Sequence, residues 1–285
     1  MKNKTIIITG ATSGIGYEAA IELSRRGHSI IGIGSSTISC KRAAENSSKD
    51  FSGNTITFFP CDLSKHEEIY NLANLLYEKY EAINILVNNA GSIFLKKILT
   101  NEGIEKTFSV NYLGHFLFTR LMLNKIIASD NPKIINVSSV AYKNAQINDD
   151  DLIDPIRYSP MKVYRRSKLA QLLFTRYLGN ELSDSRVIVV SMHPGIIATK
   201  ILSRNERWGG TLTKLFKLIG KSPKKGAQTI IYLASATNNQ LISKQYYVNS
   251  EIEQLLPHAT NDEDAKILWD MSSKLCNLPS DLPQN

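Results

Sequence analysis

Cysteine is scarce in this chain: its 285 residues include three, Cys40, Cys61 and Cys276. An odd number, widely spaced and without metal-ligand pattern, excludes a disulfide framework and a zinc site and points to reduced thiols in a cytoplasmic setting. Long apolar runs are also missing. Nothing approaches the ~18 residues that a membrane span needs, and the first strand pattern opens at Thr5 with no secretory leader ahead of it. No Pro/Gly/Ser-rich linker, internal repeat or low-complexity tract interrupts the chain, so residues 1–285 read as a single domain. A Gly-x-Ser-x-Gly segment is absent, which removes a hydrolase built on a nucleophile elbow.

What is present is ordinary in composition and strongly patterned. With 42% hydrophobic and 21% charged residues there is ample material for a core. The net charge of +8 is dispersed in pairs such as Lys96-Lys97, Arg165-Arg166 and Lys224-Lys225, which reads as a solvated surface and not a nucleic-acid face. Ile- and Val-rich runs predict strands at Thr5–Thr9, Ser29–Gly34, Thr55–Pro60, Ile83–Asn88, Lys133–Ser138, Val187–Met192 and near Gln245–Asn249. Helical periodicity falls between them at Gly14–Arg26, Lys65–Tyr80, Asn101–Ala128, Val163–Leu182 and Pro223–Ala234. Apolar runs that do not alternate with polar residues suit strands covered on both faces. Right-handed crossovers then give an α/β, doubly wound parallel sheet of about seven strands, a Rossmann fold.

In such sheets ligands sit beyond the carboxyl ends of the strands. The first strand is followed by Thr9-Gly10-Ala11-Thr12-Ser13-Gly14-Ile15-Gly16 and then a helix. Glycines there permit a tight turn and close backbone approach, and the helix N-terminus offers unpaired N–H groups to a dinucleotide pyrophosphate. Other strand ends carry Asp62, Asn88-Asn89-Ala90-Gly91, Ser138-Ser139 and His193-Pro194-Gly195. The second strand ends at Ser35-Ser36-Thr37 without the carboxylate that reads an NAD ribose, while Lys41-Arg42 lies about a helical turn on. This favours NADP(H), with NAD(H) still open because an arginine directly after the strand is also missing.

Tyr164 and Lys168 stand four residues apart, one turn apart on one helix face. A phenol of ordinary pKa is a poor base at neutral pH. A nearby ammonium favours the phenolate, and a three-unit depression needs about 4 kcal/mol.

Together these residues resemble the short-chain dehydrogenase/reductase family: Thr9-Gly10-x-x-x-Gly14-x-Gly16, Asn88-Asn89-Ala90-Gly91, Asn111, Ser138-Ser139, Tyr164-x-x-x-Lys168 and Pro194-Gly195, in family order. Val110 to Phe116, Tyr164 to Phe174 and Ser222 to Gln228 are similar to its retinol dehydrogenase-like and WW-domain oxidoreductase-like branch, whose usual arginine appears here as Ser35. The resemblance implies a catalytic set of Asn111, Ser139, Tyr164 and Lys168. Tyr164 would exchange a proton with the substrate oxygen, and Ser139 would hydrogen-bond that oxygen. Lys168 would lower the Tyr164 pKa and hold the nicotinamide ribose, and Asn111 would help hold a water leading from Lys168 to solvent. It also implies cofactor contacts from Gly10, Thr12, Ser13, Gly14, Ile15, Gly16, Ser35 and Ser36, from Asp62 and Leu63 at the adenine, and from Asn89, Ala90 and Gly91 beside the adenosine. Pro194, Gly195, Ile197 and Thr199 would lie around the nicotinamide. Asp62 reads equally as an N-cap, and His115 and His193 as structural residues.

Residues 200–222, with Trp208-Gly209-Gly210 ahead of an amphipathic stretch, read as a cover for an apolar substrate, a subunit contact or a weak membrane-surface contact. The expected partner is a hydrophobic carbonyl or alcohol, in a homo-oligomeric enzyme with no nucleic acid. The rival reading is a nucleotide-binding scaffold without turnover, which has no need of an activated phenol.

Overall fold

Unbroken Ile/Val runs need cover on two sides. The computed structural model, which describes residues 3–49, 56–147, 151–195 and 222–282, gathers these runs into one sheet. Its strands are β1 (Thr5–Thr9), β2 (Ser29–Gly34), β3 (Ile56–Pro60), β4 (Ile85–Asn88), β5 (Lys133–Val137), β6 (Ile188–His193), β7 (Tyr246–Val248) and β8 (Glu251–Ile252). They lie in the order β3-β2-β1-β4-β5-β6-β7-β8 and all run parallel except β8, which is antiparallel to β7. The sheet thus has eight strands where the sequence suggests about seven. The extra one pairs Val248 with Glu251 across a two-residue turn, Asn249 and Ser250, both at positive φ. That turn twists with the strands, but Asn-Ser announces it far less clearly than Asn-Gly would.

The helices are α1 (Gly14–Arg25), α2 (Thr37–Lys49), α3 (His66–Lys79), α4 (Lys106–Phe108), α5 (Gly114–Ile127), α6 (Pro160–Glu181), α7 (Pro223–Ser235) and α8 (Asp262–Leu275). A π-helical stretch, Ser109–Leu113, joins α4 to α5. Helix was expected from Asn101. It starts at Lys106 because Gly103 takes a left-handed conformation (φ 76°) and the Glu105 side chain caps the Phe108 N–H. The helical patterns missed α2, whose residues are mostly polar and exposed, and α8.

Successive residues of each strand face opposite sides. Ile7, Ile31, Ile134 and Val189 meet Leu76 of α3, Leu117 of α5, Leu173 of α6 and Trp269 of α8 in one core. Ile6, Ile8, Ile135 and Val190 meet Leu23 of α1 and Ile230 of α7 in the other. Burying each such strand side chain contributes about 1.5–3 kcal/mol. Strand order reverses between β1 and β4, and this opens a crevice beyond their carboxyl ends.

Candidate active site

The crevice begins at the glycine turn. Gly10 sits at φ 66°, and a Cβ on Gly16 would come within 2.5 Å of both the Gly10 carbonyl oxygen and Asn89 Nδ2. Only glycine lets α1 rest this close on the turn. No side chain caps the N-terminus of α1 at Ser13, so its first N–H groups are left for an anion. The Thr9 hydroxyl oxygen accepts the N–H groups of Asn89 (2.8 Å) and Ala90 (2.9 Å), and Asn89 Nδ2 donates to the Thr9 carbonyl at 2.7 Å. These bonds clip the end of β4 to the end of β1. A Cβ on Gly91 would lie 3.5 Å from Asn111 Oδ1 and 3.6 Å from Lys168 Nζ, so this small-residue wall runs up to the reactive groups.

Helix α6 carries Tyr164 and Lys168 on the face turned toward β5. Lys168 Nζ donates to the Val137 carbonyl at 2.9 Å and lies 5.8 Å from the centre of the Tyr164 ring. The Ser138 hydroxyl donates to the Lys168 carbonyl at 2.7 Å, which pins the helix to the strand and leaves Ser139 to face the phenol. Ser139 Oγ also accepts the Ala141 N–H at 3.3 Å. Burial lifts the Tyr164 phenol above its ordinary value, against an opposing hydrogen bond from Ser139. Burial also pulls the Lys168 ammonium down to about 8. Both shifts have the same origin, because a dry site disfavours whichever form is charged. The phenol therefore stands protonated, with burial setting its direction in place of the lowering by Lys168 that the resemblance implied.

Asn111 lies in the π-helical stretch, fully buried behind the cavity wall. Its side-chain oxygen accepts the Ser92 N–H at 2.8 Å, and its amide donates to the Ser92 carbonyl and to Ser167 Oγ, each at 3.0 Å. Its carbonyl takes a bond from Gln171 Nε2 at 2.5 Å and lies 3.0 Å from His115 Nδ1. Protein polar groups thus hold both the side chain and the carbonyl of Asn111.

These groups border one cavity of about 810 Å³. It collects Gly10, Thr12 to Gly16, Ser35, Asp62, Leu63, Asn89 to Gly91, Ser139, Tyr164, Lys168, Pro194 and Gly195. Ser36 is not part of that lining: its hydroxyl donates to Ser39 Oγ and accepts the Ser39 N–H, both at 3.2 Å, in the first turn of α2. Asp62 keeps a place on the wall while its carboxylate accepts from the Ser64 N–H (3.0 Å) and hydroxyl (2.8 Å). It caps that turn and not α3, whose N-cap is Lys65. Ile197, Thr199 and the expected cover, apart from Ser222, lie outside the described residues. The same lining includes Ile93, Phe94, Val140, Ala141 and Met161, an apolar mouth that no motif announced. Tyr158 holds Phe94 in place by donating to its carbonyl at 2.5 Å, and Lys106 Nζ sits 5.4 Å from the Phe94 ring centre.

Residues 4–209 match the short chain dehydrogenase family model. The chain belongs to the short-chain dehydrogenase/reductase family. Like others of the family it is an NAD(P)-dependent oxidoreductase. It is similar to retinol dehydrogenase 13 of Homo sapiens, with 37% identity over 96% of this chain and 85% of that one. A solved structure of an uncharacterized protein from Mycobacterium Paratuberculosis has a TM-score of 0.76 and 28% identity, covering 99% of this chain and 95% of its own. A metagenomic short-chain oxidoreductase, solved in complex with NADP, shares the fold at a TM-score of 0.65 with 20% identity, over 86% of this chain and 96% of that one. As a short-chain dehydrogenase/reductase, the chain has a site that suits a nicotinamide dinucleotide: an uncapped helix end, a side-chain-free wall at Gly91 and a buried lysine beside it.

Proposed function

We propose that this protein transfers hydride between NADP(H) and an apolar carbonyl or alcohol, with Tyr164 as the general acid and base. The observation that carries the reading is one cavity whose lining joins the glycine cradle, the apolar mouth residues and Ser139, Tyr164 and Lys168. Bound in the cradle, the nicotinamide dinucleotide supplies the hydride in reduction and takes it up in oxidation. In reduction Tyr164 gives its phenolic proton to the carbonyl oxygen, and Ser139 donates a hydrogen bond where negative charge builds. Lys168 holds positive charge beside the phenolate that results. In oxidation the same phenolate removes the hydroxyl proton.

NADP is favoured because Ser35 at the end of β2 puts a hydroxyl on the cavity wall where a carboxylate would repel a 2′-phosphate, with Lys41 and Arg42 exposed on α2. Support also comes from the NADP held by the metagenomic relative. An apolar substrate suits the Phe94 and Met161 mouth, and a retinoid is one candidate of that class, in keeping with the named activity of the human relative. The test is NADPH consumption with all-trans-retinal, decanal and acetaldehyde. Turnover is expected with the two apolar aldehydes and about 10³-fold less in Tyr164→Phe. Cofactor binding with no turnover of any aldehyde or alcohol in the unaltered protein would favour the scaffold instead.

A further inference from the structure

His115, in the first turn of α5, is fully buried, and the chemistry above makes no use of it. Sequence alone makes it a packing residue, yet every polar atom of its ring is engaged. Nε2 lies 2.8 Å from Thr9 Oγ1, and Nδ1 lies 3.0 Å from the Asn111 carbonyl oxygen.

Counting hydrogens decides its tautomer. A hydroxyl has two lone pairs and one proton. Thr9 Oγ1 spends both lone pairs on the N–H groups of Asn89 and Ala90, so it meets His115 with its proton, which has Nε2 at 2.8 Å and the Val87 carbonyl only at 3.4 Å. Nε2 is thus the acceptor. Nδ1 carries the hydrogen and donates it to the Asn111 carbonyl; Gln171 Nε2, which lies 3.1 Å from Nδ1, gives its bond at 2.5 Å to that same oxygen and not to the ring.

We propose that His115 is a positioning residue: as the neutral Nδ1–H tautomer it ties the Asn89-Ala90 edge of the cofactor crevice, through Thr9, to the Asn111 turn that backs Lys168. The proposal rests on the oxidoreductase reading of the site. Asn111 holds the main chain of Ser92 on one side and Ser167 on the other, and Ser167 Oγ donates to the Tyr164 carbonyl at 2.8 Å. One imidazole therefore connects the wall of the cofactor site with the helical turn that spaces Tyr164 from Lys168. Burial, together with the nearby Lys168 charge, pushes the ring down to about 3, so the link stays neutral wherever the enzyme works. A protonated ring would turn Nε2 into a donor against an oxygen with no lone pair to spare.

Two measurements test this. In the unaltered protein, heteronuclear NMR of the imidazole should show the Nδ1–H tautomer with no titration from pH 5 to pH 9; an Nε2–H tautomer, or titration in that range, overturns the proposal. In His115→Phe, which fills the space without a hydrogen bond, the Kd for NADPH should rise about tenfold and single-turnover reduction of all-trans-retinal should slow. His115→Asn restores a donor near the Nδ1 position, and its Kd should return to within about threefold of the original. A lowered melting temperature with NADPH affinity unchanged in His115→Phe would make the residue merely structural. Weakened NADPH binding in that variant, when even the unaltered protein turns over no aldehyde or alcohol, would sink the oxidoreductase reading and leave the positioning role standing.

Discussion

Lys168 is held where an ammonium is costly. Its folded value of about 8 lies below the ~10.4 of a solvated lysine, so the folded site resists a proton that the unfolded chain accepts freely. The cost is complete below pH 8 and vanishes as pH climbs from about 8 to about 10.4. The bond to Val137 recovers part of it. Lys168→Met, of similar length and uncharged, is expected to be more stable than the original protein at pH 7 by about 2 kcal/mol, to lose that advantage by pH 10, and to lack turnover. Urea denaturation of both at the two pH values checks this; an advantage that did not shrink with pH would locate its origin elsewhere. The buried cysteines raise no parallel issue, since burial pushes the Cys61 thiol up to about 12 and leaves it inert.

Among the elements, α8 shows what the strand and helix patterns left out. Its start is marked by Asn261, whose side chain accepts the N–H groups of Glu263 and Asp264, ahead of an acidic first turn and the apolar residues Ala265, Leu268 and Trp269. That cap was the available signal. Trp269 stacks on Tyr177 and Phe174, meets the edge of Phe116 and donates to the Ser280 carbonyl at 2.7 Å. Arg120 lies over its ring at 4.8 Å and donates to the carbonyls of Pro279 and Asp281. The C-terminal segment is thereby fastened to the outer side of α5 and α6, the helices that carry the reactive residues inward. Trp269→Ala should cost about 3–5 kcal/mol in urea denaturation; a loss below about 1 kcal/mol would mean the helix packs without it. The π-helical stretch, by contrast, gave no sign in the sequence, because Ser109 to Leu113 fit a regular helix equally well.

For the molecule as a whole, the cofactor is expected to be the largest adjustable source of stability. A ligand bound only by the folded state adds about 2.7 kcal/mol at a hundred times its Kd, or several degrees in melting temperature. NADPH is expected to raise the melting temperature more than NADH at equal concentration. Ser35→Asp, which places a carboxylate at the end of β2, should reverse that order. Thermal scans with each cofactor decide it, and an unchanged ranking in the variant would show that the 2′-phosphate is read elsewhere.

Seven of the eight strands were legible within a residue or two, most of them because unbroken Ile and Val runs have one stable arrangement, a sheet covered on both faces. The glycine turn and the Tyr164/Lys168 pair were legible too, since each is local in the chain, while Ser139 was legible only through the family resemblance. What the tertiary structure decided lies between residues far apart in sequence. It closed protein groups around Asn111, gathered Ile93, Phe94 and Met161 into a mouth, and set His115 against Thr9 across 106 positions. Hydrogen bonds and desolvation act through space, so the chain could name the groups, and only the fold could say which of them would meet.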